Sequence, residues 1–333
     1  MSSSPPPASS IRRGIACGAA AGAFWGLVFL TPELVRDFTP GQLAAGRYLA
    51  YGLFAALLIA PRLRSLLPRL GWREWWALSW LSLLGNTLYY VLLAQAVQLG
   101  GMAMTALVIG FLPVAVTLVS RGGAGAVPLR RLALSLALGV AGIGCVGYES
   151  LAAVSLGGDA AGLARPGALL GFGCAVGALI SWSIYAVANS RWLARRADLS
   201  AHDWSLLTGL ATGAQALLLA IPAFVLTAAD AGGAPAHSSE AWWRFIAVVT
   251  SVAILASIVG NAFWNRASRL LPSTMIGQMI LFETLFALLY GFAWEQRGPS
   301  WLEAAAMVLV TASVLGSVRA HRVHAPAPAA HAA

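Results

Sequence analysis

Ten apolar stretches, each about twenty residues long, follow one another along this chain with only short gaps between them. A hydrocarbon core about 30 Å thick is crossed by about 20 residues of α-helix, and inside it only helices or closed barrels satisfy every backbone N–H and C=O. Barrel strands alternate apolar and polar residues, and these stretches do not. The spans fall near 14–35, 40–60, 75–97, 100–120, 131–149, 166–189, 204–226, 243–264, 272–294 and 299–318. At 59% hydrophobic and 10% charged residues, a soluble reading of the 333-residue chain is excluded. The expected fold class is an all-α polytopic membrane protein with ten transmembrane helices.

Turn residues mark several gaps: Thr39–Pro40, Gly100–Gly101, Leu271–Pro272 and Gly298–Pro299 predict tight helical hairpins. The longer gaps SLAAVSLGGDAAGLARP and LTAADAGGAPAHSSE, and the ends MSSSPPPASS and HAPAPAAHAA, cannot form a core of their own. Residues 1–13 and 320–333 are therefore expected as disordered tails, 14–150 and 166–319 as two five-helix halves, and 151–165 as an external loop. The first tail lacks the charged start, apolar run and cleavage site of a signal peptide, so the first helix is expected to direct insertion.

All 21 basic residues are arginine, and the net charge is +9. Sixteen arginines collect in gaps on one side of the ten spans and four on the other, with Arg47 alone inside a span. The positive-inside rule then puts both termini in the cytoplasm. The charge is a topology signal, so no nucleic-acid partner is expected; the lipid bilayer and a small molecule are. Cys17, Cys145 and Cys174 sit singly in apolar runs and all five histidines lie in loops or tails, which predicts neither a metal site nor a cofactor. A chain without lysine has no phosphate-binding Gly-Lys loop, so ATP hydrolysis does not drive it. A membrane enzyme would need a nucleophile, metal ligands or paired acids in the spans, and a channel a ring of like charges or carbonyls. A secondary transporter, working by alternating access, fits better.

A faint internal repeat points the same way. GAFWGLVFL in span one and GALISWSIYAV in span six place Trp25 and Trp182 at similar depths. AVQLGGMAMTALVIGFLPVAV, from residue 96, aligns without gaps with ASRLLPSTMIGQMILFETLFA, from residue 267. With an odd number of helices in each half, the second half must be inverted. AFWGLVFL, Arg47 within PGQLAAGRYLAYG, ALISWSIYAV followed by Arg191, and NRASRLLPSTMIGQMILFETLFALLYG together resemble the ten-helix EamA-type proteins of the drug/metabolite transporter superfamily. The resemblance covers residues 14–319. It implies two inverted five-helix repeats around a central cavity, in a bacterial inner membrane. It also implies export or exchange of small organic metabolites, with amino acids, aromatic ones included, as the preferred class and drug-like cations or other metabolites as the alternative. That family places proline directly after the glutamate of span nine; here Thr284 follows Glu283, whereas Pro113 in span four keeps a helix breaker.

Charges near the bilayer centre cost at least about 2.5–3.5 kcal/mol and mark function by default. Glu283 lies eleven residues beyond Pro272, about 16 Å along the helix, near the midplane. It is read either as a cavity-facing acid that binds an ammonium or exchanges a proton, or as a helix-packing hydrogen bond. Arg47 lies seven residues beyond Pro40, with Tyr51 on its face. It could grip a substrate carboxylate, or pair with Glu33 of span one, or snorkel outward. Trp25, Tyr89, Tyr90, Trp182 and Tyr185 lie inside spans rather than at the interfacial belts, and serve as stacking surface or as core. Gln278 completes the candidate substrate-binding set. Small-xxx-small spacings at Gly14, Gly18 and Gly22, and at Gly173 and Gly177, predict close helix approach within a monomer or across a homodimer.

Overall fold

The computed structural model describes residues 8–119, 129–155, 167–196, 198–226, 237–271 and 273–324, and no strand occurs among them. The helices are α1 (Ala8–Leu34), α2 (Pro40–Leu66), α3 (Trp72–Ser82), α4 (Leu88–Gly100), α5 (Met102–Ile109), α6 (Leu112–Val119), α7 (Leu129–Ser155), α8 (Ala168–Arg195), α9 (Ala201–Ala220), α10 (Ser239–Ile254), α11 (Asn261–Leu270), α12 (Ser273–Glu295) and α13 (Trp301–His324). A π-helical turn, Leu83–Thr87, joins α3 to α4 in one rod, and another, Leu255–Gly260, joins α10 to α11. Among the described residues seven helical rods are long and apolar enough to cross a membrane, and the apolar helices over 102–116 and 301–316 are shorter. The chain is an all-helical polytopic membrane protein.

The local chemistry of the helix ends is that of the sequence. Thr39 closes a capping box before Pro40: its hydroxyl accepts from the Gln42 N–H at 3.3 Å while the Gln42 side chain accepts from the Thr39 N–H at 2.8 Å. Ser200 and Ser238 cap α9 and α10 through the N–H groups of Asp203 and Ala241. The helix breaks between α5 and α6 at Gly110 and Phe111, just ahead of Pro113, because proline has no N–H to bond the carbonyl four residues back, that of Ile109, and its ring clashes with that carbonyl. Without that proline, α12 runs unbroken through Glu283 and Thr284.

Apolar helices gain little from meeting one another in lipid, so their packing rests on close fit and on interhelical hydrogen bonds. The most extensive pairings are α2 with α9, α1 with α12, α7 with α13 and α4 with α8. Where α2 crosses α9, a Cβ added to Gly52 would come within 2.5 Å of the Gly213 Cα, so the two backbones touch. Polar stitches run between rods: Ser82 donates to Thr208 O at 3.1 Å, Tyr290 to Ala23 O at 3.1 Å, and Ser313 to Ser135 O at 2.5 Å. Gly173, by contrast, faces open space, so its predicted spacing with Gly177 serves no helix contact there. Trp72, Trp76, Trp243, Trp294 and Trp301 are exposed, as belt residues are.

Charged groups gather at the rod ends. Arg196 bonds Glu74 at 2.8 Å, Asp198 at 2.8 Å and the Arg69 carbonyl at 2.8 Å, tying the α8–α9 connection to the α2–α3 connection. Arg62 adds a bond to Asp203 at 3.0 Å. At other ends, Arg297 grips Glu303 through two bonds of 2.6 and 2.7 Å, and Arg244 meets Asp37 at 2.6 Å.

Two measurements test this packing. Gly52→Val should force the α2–α9 crossing apart and cost about 1–3 kcal/mol, read as a lower unfolding temperature in detergent. The bonds from Arg196 hold the Asp198 carboxyl down to about 2. A depressed carboxyl stabilises the fold fully above its ordinary value and ceases to as pH falls through its folded value, so this tie should survive at pH 5 and loosen only near pH 2, followed by carboxyl NMR.

Candidate functional site

Arg47 is only 8% exposed, and its Nε and Nη1 groups are buried without a hydrogen-bond acceptor. Its guanidinium lies 4.4 Å from the centre of the Tyr90 ring and 5.2 Å from that of Tyr48. A buried charge costs several kcal/mol even after relaxation, and cation–π contacts return about 2 kcal/mol when desolvated. The two rings therefore shelter the cation without neutralising it. Arg36 holds Glu33 instead, through bonds of 2.5 and 3.2 Å, so the sequence expectation of an Arg47–Glu33 pair is replaced by a local one. The physical reason is proximity: a partner three residues along the same chain needs no interhelical alignment.

The tyrosines around Arg47 are held by neighbouring rods. The Tyr48 hydroxyl donates to Asn86 O at 3.1 Å, in the π-helical turn between α3 and α4, and the Asn86 amide donates to Thr212 Oγ1 on α9 at 3.0 Å. Tyr51 donates to Ser205 O at 3.2 Å. The Tyr90 hydroxyl is fully buried beside Thr31 and Arg47. Tyr48 and Thr31 were missed from sequence. Tyr48 follows Arg47 directly, and adjacent helical positions ordinarily diverge, so no periodicity joins them.

Glu283 reaches this region from α12. It is half-buried, within electrostatic reach of Arg47 and Tyr89, and forms no ion pair or hydrogen bond with a described residue. Its position depends on α1, where a Cβ on Gly22 would lie 2.8 Å from the Glu283 backbone nitrogen. The predicted small-residue spacing is here a contact seam that lets α12 come close.

Of the remaining candidates, Tyr89 and Tyr90 are buried on α4 with Arg47 nearby. Tyr185 packs edge-on to Trp182, ring centres 5.9 Å apart, and is within electrostatic reach of Tyr48 and Tyr51. Trp25 stands apart: its indole N–H donates to Ala256 O at 3.0 Å and its ring meets Trp264 at 5.1 Å. The side chain of Gln278 lies outside the described residues. Arg47, Tyr89, Tyr90 and Glu283 are thus brought together from three rods, with Tyr48 and Thr31 added.

Residues 12–148 match the EamA-like transporter family. The chain is 32% identical over 311 residues to the inner membrane protein YtfF of Escherichia coli (strain K12), an alignment covering 92% of this chain and 95% of that one. A protein of known crystal structure, 21% identical, shares the fold with a TM-score of 0.56 over 94% of this chain and 99% of its own.

If Arg47 has no acceptor within the protein, Arg47→Leu should leave thermal stability unchanged or raise it, by up to about 4 kcal/mol. A loss of about 3–5 kcal/mol, the usual cost of breaking a buried pair, would show that it is paired.

Proposed function

Since this chain belongs to the EamA-like transporter family and is therefore a membrane transporter, we propose that it is a secondary carrier exporting or exchanging amino acids, aromatic ones included, across a bacterial inner membrane. The observation that carries the substrate class is Arg47: two buried N–H groups without an acceptor, flanked by aromatic rings, with a free carboxylate in electrostatic reach. A zwitterion answers both charges. Its carboxylate takes the Arg47 donors, its ammonium turns to Glu283, and an aromatic side chain meets Tyr89, Tyr90, Trp182 and Tyr185. The absence of a lysine-bearing phosphate loop supports gradient-driven exchange, and membership of a transporter family speaks against an enzyme.

The architecture proposed is ten transmembrane helices in two inverted five-helix halves, with both termini cytoplasmic. Three things support it. The arginine asymmetry fits an even number of spans. The helix pairings exchange sensibly when the halves are exchanged: α2–α9 and α7–α13 map onto themselves, and α4–α8 maps onto α11–α1. The π-helical turns that interrupt a rod in mid-course, Leu83–Thr87 and Leu255–Gly260, fall in the third span of each half.

Glu283 without a partner also favours a drug-like cation as substrate, although Arg47 would repel it. Counterflow into liposomes reconstituted with purified protein separates the two. Uptake of at least one labelled amino acid above empty liposomes is expected. It should fall at least about tenfold, the equivalent of one charge-assisted bond, in Arg47→Leu and in Glu283→Gln, but not in Trp75→Ala. No uptake across the twenty amino acids sinks this substrate class, and cation uptake that survives Arg47→Leu supports the alternative.

A further inference from the structure

Two rods lose their α-helical ladder in mid-course, and both are caught in the same way. A π-helical turn carries one residue more than its ladder can serve, so a backbone carbonyl there needs a donor from elsewhere. Hydrocarbon supplies none. At Leu83–Thr87 the donor is Ser181, whose hydroxyl lies 2.7 Å from Leu84 O. At Leu255–Gly260 it is Trp25, whose indole nitrogen lies 3.0 Å from Ala256 O. Each accepting carbonyl belongs to the second residue of its turn.

Each turn also presses a glycine on an aromatic ring of the donating helix. A Cβ on Gly85 would lie 2.5 Å from the Tyr185 ring, and one on Gly260 would lie 2.9 Å from Trp25 Nε1. The donors come crosswise: α1 serves the rod of α10 and α11, and α8 serves the rod of α3 and α4. Ser181 directly precedes Trp182, the residue that aligns with Trp25. The chemistry differs, a hydroxyl in one case and an indole in the other, and the turns LLGNT and LASIVG share little sequence. What is common is the geometry, an α-ladder interrupted in mid-rod whose second carbonyl takes a side-chain bond from the opposite half. The first turn is joined to the Arg47 cradle as well, because Tyr48 donates to Asn86 O within it.

We propose that these two mid-rod π-helical turns are the paired hinges of the carrier, and that Ser181 and Trp25 are positioning residues that hold each hinge from the opposite half. Trp25 then belongs to the moving parts rather than to the substrate lining. The transporter assignment supplies the purpose of the hinges; the substrate class does not enter.

Hydrogen–deuterium exchange of the full chain in lipid nanodiscs, without substrate, tests the hinges directly. Amides of 83–92 and 255–264 should exchange faster than the flanking residues of their rods. Ser181→Ala should raise exchange about three- to tenfold in 83–92 only, and Trp25→Phe, which keeps a ring against Trp264, in 255–264 only. Ser181→Thr, retaining the hydroxyl, should restore protection. Wild-type exchange at the turns no faster than at their flanks overturns the proposal, as does a rise spread evenly over both rods. For any labelled amino acid that exchanges, the two variants should change Vmax severalfold at constant KM; a changed KM at constant Vmax would place these side chains on the substrate and overturn it too. Failure of amino-acid counterflow alone leaves the exchange result, and with it the hinges, standing on its own.

Discussion

A carbonyl or N–H left open in hydrocarbon costs several kcal/mol, since no water is there to answer it. Long helices meet this demand with their own ladders, which is why the chain is built of rods joined by short connections. Wherever a ladder is interrupted, a side chain must be found. Trp25, Ser181 and Tyr48 supply donors to the carbonyls of Ala256, Leu84 and Asn86, each from a different rod. The same demand makes Arg47 conspicuous, because two of its donors are sealed from water and unanswered by the described residues. Interruption of the backbone and exposure of a charge are costs of the same kind, and Tyr48 links the two places where they occur, with its ring under Arg47 and its hydroxyl on the first π-helical turn.

Much of this was legible in the residues alone. Apolar runs of membrane length located the rods, Thr39–Pro40 the turn before α2, and Pro113 the break between α5 and α6. Composition singled out Arg47 and Glu283, because a charge amid twenty apolar residues has no ordinary explanation. The π-helical turns were not legible: LSLLGNTLYY and AILASIVGNAF are uniformly apolar apart from small polar groups, and one extra residue shifts no pattern that is apolar on every side. The partner of Glu33 was hidden for another reason. Spacing brought both Arg36 and Arg47 within range, and only coordinates decide between a neighbour three residues on and one from the next rod.

Arg47 and Glu283 reach each other's field without touching, and that separation is informative. A direct bond would have satisfied both groups and left little reason for either to meet a third molecule. Held apart, with tyrosine rings on the cation, they bring opposite charges and aromatic surface into one region. The supporting bonds, Tyr51 to Ser205 and Asn86 to Thr212, both end on α9, a rod that carries no candidate charge, so the cradle is fixed by its surroundings.

The seam between α1 and α12 carries this constraint into heredity. Every amino acid except glycine has a Cβ, so every missense change at Gly22 drives an atom toward the Phe282 and Glu283 backbone. Gly26 stands in the same relation to Phe286 and Ala287, and Gly18 faces the Met279 side chain. A random screen for lost transport would therefore gather alleles along one face of the first helix, at positions filled by contact with α12. Read without coordinates, such a map would mistake a packing seam for a binding surface.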